Sequence, residues 1–220
     1  MSRLARLKFK TDLAVMQYSP LVQQLMFGPR LSGVLVEYLI MLHCIIRSTE
    51  GLFNAAIDEA NRRWLDGEEG CRGLAEYLTL HKEEEVEHAE WLLDDIEVMG
   101  VSREQVLSRR PQAEVAALAG SQYYWIYHYH PAMFLGYLLA LEGYPMQAAD
   151  IAHFKQLTGF PDDAFRTLAL HADLDTGHSD ELLQFLENCS LTDTVFDSIS
   201  TSSMTSCAYL SQALKSLESH

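Results

Sequence analysis

The chain has 220 residues, 48% of them hydrophobic, and sets 31 Asp and Glu against 16 Lys and Arg, for a net charge of −15. That size and apolar content suit a single domain with a full core, here taken as residues 1–220. The charge argues against nucleic acid and against anionic membrane surfaces as partners, because no basic stretch is available to neutralise phosphates.

Taken from the N-terminus, almost every segment predicts helix. The basic start MSRLARLKFK leads into TDLAVMQYSP rather than an apolar run, so no signal peptide is expected. Leu13, Met16, Leu21 and Leu25 lie at roughly helical spacing and predict a helix over 11–27 that stops at Gly28-Pro29. A long apolar helix over 31–62 follows. Glu37 and His43 interrupt its hydrophobic run, which fits a buried helix and not a membrane span. Residues 72–99 predict another long helix closed by Gly100, and Ser102, with Glu104 just inside, caps a short one. Pro111 opens the next helix, which runs into YYWIYHYH, and Pro131 opens one that ends near Tyr144. A short helix over 147–157 precedes Pro161-Asp162-Asp163, which opens a helix reaching Asn188.

The tail over 192–217 is rich in Ser and Thr. Yet Leu191, Val195, Ile199, Cys207, Leu210, Leu214 and Leu217 keep a helical stripe and predict a packed C-terminal helix. The expected architecture is one all-α domain of about seven to nine helices. Cys44, Cys71, Cys189 and Cys207 form no CxxC pair and are expected as reduced thiols of a cytoplasmic protein.

The stretch HADLDTGH, residues 171–178, concentrates the chemistry. His171, Asp175 and His178 stand at i, i+4 and i+7, which an α-helix gathers into a band of roughly 60°. Asp173 projects the other way and is expected in solvent. Two imidazoles and a carboxylate on successive turns make half of a metal site. A di-metal carboxylate centre draws about six ligands from several helices. In HKEEEVEHAEW, Glu85 stands three residues before His88, the spacing that gives one metal an imidazole and lets a carboxylate bridge. Glu142 is the one acid in HPAMFLGYLLALEGYP, where an unpaired buried carboxylate would cost several kcal/mol. Glu85, His88, Glu142, His171, Asp175 and His178 together set three carboxylates against the charge of two divalent cations. Mixed N/O donors without thiolate suit Fe(II), with Mn(II) as the alternative, over structural zinc.

Plainer readings stand beside each of these. Glu83, Glu84, Glu87 and Glu90 read as a solvated face, although Glu84 also lies four residues from His88 and competes with Glu85. Glu142 alone fits an acid paired with arginine. His81 shares the face of His88 and is expected at the edge of the site at most, while His43, His128 and His130 read as structural and His153 as a surface residue. Glu50, near the polar end of its helix, is left open as a seventh ligand. Tyr123, Tyr124, Trp125 and Tyr127 read as core packing, with a pocket wall as the functional version.

The three ligand segments resemble those of the haem-oxygenase-like di-iron oxidases and oxygenases, non-haem enzymes that share the haem oxygenase fold. EEVEHAEWLLDDIEVMG (84–100) is similar to that family's Glu-x-x-His helix, and GYLLALEG (136–143) and HADLDTGH (171–178) are similar to its second and third ligand segments. The resemblance covers about residues 30–188. It implies that Glu85, His88, Glu142, His171, Asp175 and His178 hold two Fe(II) ions and that dioxygen is the co-substrate. It also implies oxidation of a small metabolite by N-oxygenation, oxidative decarboxylation or C–C cleavage, often within natural-product biosynthesis. Some relatives carry Glu at the position of His81, which points to Glu85 as the carboxylate here.

The apolar helices 31–46 and 131–141 are expected to wall a pocket for a substrate with an apolar body and a polar head. A small molecule is therefore the expected partner, and an external electron donor and a homodimer are compatible with the pattern. The rival readings are a non-catalytic helical iron-binding protein, a haem oxygenase using His43, and a thiaminase-like enzyme with a cysteine nucleophile.

Overall fold

In the computed structural model the described residues are 1–144 and 146–219, with 173–176 and 219 described by backbone alone. The described residues form helices without strands. Helices α1 (Arg3–Met16) and α2 (Ser19–Met26) lead into the long α3 (Leu31–Leu65). Then come α4 (Gly70–Glu84), α5 (His88–Val98), α6 (Arg103–Ser108), α7 (Ala113–His128) and α8 (Phe134–Glu142). Helices α9 (Ala148–Thr158), α10 (Arg166–Asn188) and α11 (Asp193–Ser216) complete the chain. The expected helix over 11–27 divides at Gln17–Tyr18, and its partner α1 begins as early as Arg3, where Ser2 accepts a hydrogen bond from the Ala5 N–H. Ser102 likewise caps α6, in a reciprocal box with Gln105.

Helix α3 is the spine. It packs against α4, α5, α7 and α9, and Val34, Leu35, Leu39, Leu52, Phe53 and Ala56 along it are fully buried. Its apolar stretch is long enough to cross a bilayer, but half of that stretch is buried inside the bundle, which is how a core helix behaves. Each such Leu or Phe contributes about 1.5–3 kcal/mol by leaving water. The four cysteines are free thiols.

The Ser-rich stripe of α11 is structural. Helix α8 approaches it so closely that a Cβ on Gly136 would lie 2.4 Å from the Ile199 carbonyl oxygen. Small hydroxyls permit that approach and find partners within it: Thr11 bonds Ser203 at 2.8 Å, and Gln122 bonds Ser202 and Ser206. The long segment 192–217 is therefore a packed helix, as its stripe predicts.

One expected helix is interrupted. The 72–99 segment breaks over 85–87, where Glu87 takes a left-handed backbone conformation with φ of 73°. Among the described residues it is the one non-glycine in that region of backbone space.

Candidate metal centre

The break decides where the donor side chains go. Helix α4 delivers His81 and ends with Glu85 as its C-cap, and α5 restarts at His88. Helix α8 ends on Glu142, and α10 brings His171 and His178. The head of α10 is tied to α5, because Asp95 accepts the Thr167 N–H at 2.7 Å. Four stretches of chain thus converge on one buried volume.

Within it, Glu85 is the hub. Its Oε2 lies 3.0 Å from His88 Nδ1 and its Oε1 lies 3.3 Å from His178 Nδ1. Glu142 Oε2 lies 3.0 Å from His81 Nε2, and the His81 and His178 rings are 4.9 Å apart. The His88 and His171 rings meet edge to face at 4.5 Å. Glu85, His88, Glu142, His171 and His178 are therefore brought together. The side chains of Asp173 and Asp175 lie outside the described residues.

His81 is the residue that sequence reasoning left at the edge. It is 1% exposed and sits between Glu142 and His178. With Glu85 and His178 it offers three donor atoms within 4.8 Å of one another. Its signal was a histidine seven residues before His88, on the same predicted face. Glu84 also reaches the site, with Oε2 3.3 Å from His178 Nε2, whereas Glu50 is exposed. Tyr123, Tyr124 and Tyr127 are exposed and form neither core nor pocket wall. His130 is structural, as expected: its Nδ1 accepts from the Ala132 N–H, and its Nε2 faces Glu68 at 2.8 Å.

The donors fit a metal better than they fit each other. His81 Nε2, Glu85 Oε1, His88 Nε2, Glu142 Oε2 and His178 Nδ1 are all buried, and none completes an aligned hydrogen bond. Even the 3.0 Å approach of His81 to Glu142 lacks the directionality of a good N–H···O bond. Buried polar atoms are rarely left so, because each costs about 1–3 kcal/mol. Lone pairs converging on shared space are the arrangement that a cation satisfies.

The electrostatics agree. Burial pushes the Glu142 carboxyl up. Burial also opposes ionisation of Glu85, but the adjacent His178 and His88 imidazoles outweigh it and hold Glu85 well below the usual carboxylate range. The Glu85 carboxylate pushes His178 up to about 9. For His81, burial lowers basicity, yet the adjacent Glu142 outweighs it and leaves the imidazole raised. Without a cation, Glu142, His81 and His178 are thus biased toward their protonated forms, while Glu85 is biased toward its carboxylate.

A cavity of about 420 Å³ opens onto the centre at Glu85, Glu142 and His171. Its walls are mostly apolar, with Met41, Leu42, Ile45 and Ile46 of α3 facing Leu168, Leu210 and Leu214. The expected contribution of 31–46 holds. From the other expected wall, 131–141, only Ala140 and Leu141 reach the cavity, since the rest of α8 is core. Neither Lys nor Arg lines it among the described residues.

A family profile described as iron-containing redox enzyme matches residues 72–202, a span that holds every donor named above. No curated protein matches the sequence. Among solved structures, a domain of unknown function with a heme oxygenase-like fold from Shewanella denitrificans is similar over 100% of this chain and 93% of that one, with a TM-score of 0.82 at 18% identity. A TenA homologue from Pseudomonas syringae pv. tomato is similar over 98% of this chain and 92% of its own, with a TM-score of 0.70 at 15% identity. The fold is therefore haem-oxygenase-like.

Proposed function

Because the chain belongs to the iron-containing redox enzyme family, we propose that it is a non-haem di-iron oxidase or oxygenase acting with dioxygen on a small, apolar-bodied metabolite. The observation that carries this reading is the convergence of buried imidazole and carboxylate atoms that lack aligned partners of their own. Glu85, His88, Glu142, His171 and His178 would hold two Fe(II) ions, Asp175 joins them by its spacing in sequence, and His81 is added by its position. When bound, the iron pair supplies the redox chemistry and the activation of dioxygen.

The chain's own residues do the rest. Glu85 sits between His88 and His178 and would be a carboxylate ligand shared by the surroundings of both imidazoles. Glu142 and His81 close the opposite side. The apolar walls exclude water and take up the body of the substrate by burial. With no Lys or Arg in the described lining, the polar head of the substrate is directed to the centre itself. N-oxygenation, oxidative decarboxylation and C–C cleavage are the reaction types in view. The four free thiols support a reducing, cytoplasmic setting.

The test is anaerobic Fe(II) titration of the metal-free protein, followed by oxygen-electrode measurements across a substrate panel. Binding of about two irons per chain and substrate-dependent oxygen consumption are expected. Uptake of iron without any such consumption would favour the non-catalytic iron-binding reading. Among the described residues neither a cysteine, which the thiaminase-like reading would use, nor His43, which the haem reading would use, lines the cavity.

A further inference from the structure

The centre has two flanks of opposite chemistry. One is the apolar cavity. The other is the seam between α4 and α10, where a surface depression of about 390 Å³ is lined by Tyr77, His81, Glu181, Gln184 and Asn188 among others. Tyr77 stacks on Phe185 at 4.4 Å, and its hydroxyl lies 3.3 Å from His81 Nδ1. His81 thereby forms the floor of the depression while its other nitrogen, Nε2, faces Glu142 inside. A turn further on, His178 spans the same boundary. Its Nε2 faces Glu84, whose side chain is 47% exposed, and its Nδ1 faces Glu85, which is 15% exposed. Glu181 is exposed beside His81 and Tyr77.

We propose that this seam is the inlet through which the divalent cation reaches the centre, with Glu84 and Glu181 as capture groups that hand it to His178 and His81. The inference rests on the metal centre proposed above. Two independent features support it. The acids continue into buried imidazoles: His178 Nε2 lies 3.3 Å from the half-exposed Glu84, and on the inner side of each ring His178 Nδ1 and His81 Nε2 have no aligned hydrogen bond. The alternative route is also unfavourable. A hydrated cation entering through the cavity would cross mostly apolar walls, Met41, Leu42, Ile45 and Leu168 among them, with Asp150 the one carboxylate outside the centre. Along the seam each lost water is replaced by a carboxylate oxygen or an imidazole nitrogen. Cation and organic substrate thus use separate doors, and a substrate resident in the cavity does not block metal loading.

The experiment is stopped-flow loading of the metal-free protein with Fe(II) under anaerobic conditions, read against a fluorescent chelator. Glu84→Gln/Glu181→Gln is compared with the wild type. Local acids of this kind change association rates about 10-fold or more, so loading is expected to slow about 10-fold with a Kd within twofold of the wild type. Release to excess chelator slows equally, because an inlet lowers one barrier in both directions. Asp150→Asn, at the cavity wall, should load at the wild-type rate. An unchanged rate in the double variant overturns the inlet while leaving the centre intact. Slowing confined to Asp150→Asn does the same. A loss of affinity matching the loss of rate makes Glu84 a resident ligand and also overturns it. Failure of the wild-type protein to take up any cation sinks the centre and the inlet together.

Discussion

Asp95 on α5 accepts a 2.7 Å hydrogen bond from the backbone N–H of Thr167, at the head of α10. The bond joins the helix that carries His88 to the helix that carries His171 and His178. Asp95 is 1% exposed and Arg166 lies 3.5 Å from its other oxygen. Burial pushes its carboxyl up, against the pull of the Thr167 N–H. Removing the acceptor strands a buried N–H, so Asp95→Ala should lower stability by about 2 kcal/mol. Asp95→Asn keeps an acceptor and should recover more than half of that. Urea unfolding of both variants checks the pair. Equal losses in the two would mean that the charge, and not the cap, is what matters.

The left-handed Glu87 makes a second prediction. That conformation costs an ordinary residue about 1–2 kcal/mol, and glycine adopts it freely at some entropic cost in the unfolded chain. Glu87→Gly should therefore raise stability by about 0.5 kcal/mol, whereas the β-branched Glu87→Ile should lower it by more than about 1 kcal/mol. Thermal melts of the metal-free protein distinguish these. A destabilised Glu87→Gly would show that the break is not strained in this way.

Gly136 tests the α8–α11 contact. A Cβ there would meet the Ile199 carbonyl oxygen at 2.4 Å and the Ser203 nitrogen at 2.7 Å, both backbone atoms that cannot swing aside. Gly136→Ala should destabilise by about 3 kcal/mol. Because α8 ends on Glu142, iron stoichiometry should fall with it. Gly177→Ala, with open space around the site, serves as the neutral comparison.

The metal-free protein should lose stability in alkali. His178 is held up to about 9 by Glu85, against an ordinary 6.5. The folded state therefore binds more protons than the unfolded chain between those values. The contribution of this pair is complete below pH 6.5 and lost as the pH rises through about 9. Differential scanning fluorimetry of the metal-free protein should show its midpoint falling across that window, and His178→Gln should flatten the slope. Metal replaces the proton, so loading at pH 7 should release protons and iron affinity should rise with pH. A metal-free midpoint that rises from pH 6.5 to 9 contradicts the pairing.

Glu85 and His88, expected three apart on one helix, meet instead across its break at 85–87, but helicity and the packed C-terminal stripe were both legible in the order of residues. Each depends on neighbours within one or two turns, and helical periodicity reports such neighbours directly. Glu142 was legible for a different reason: one acid within an apolar run has few places to go without a partner. The role of His81 was not legible. Read as one continuous helix, 72–99 stacks His81 beneath His88 on a single face. In the structure the helix breaks at 85–87, and His88 meets His171 while His81 meets Glu142 and His178. No local preference announces that break, because Glu87 is an exposed residue and an unfavourable one for its own left-handed conformation. The cavity is beyond periodicity as well. Its walls come from α2, α3, α9, α10 and α11, distant in sequence, and only their packing leaves the space between Ile45 and Leu214 open to the donor side chains.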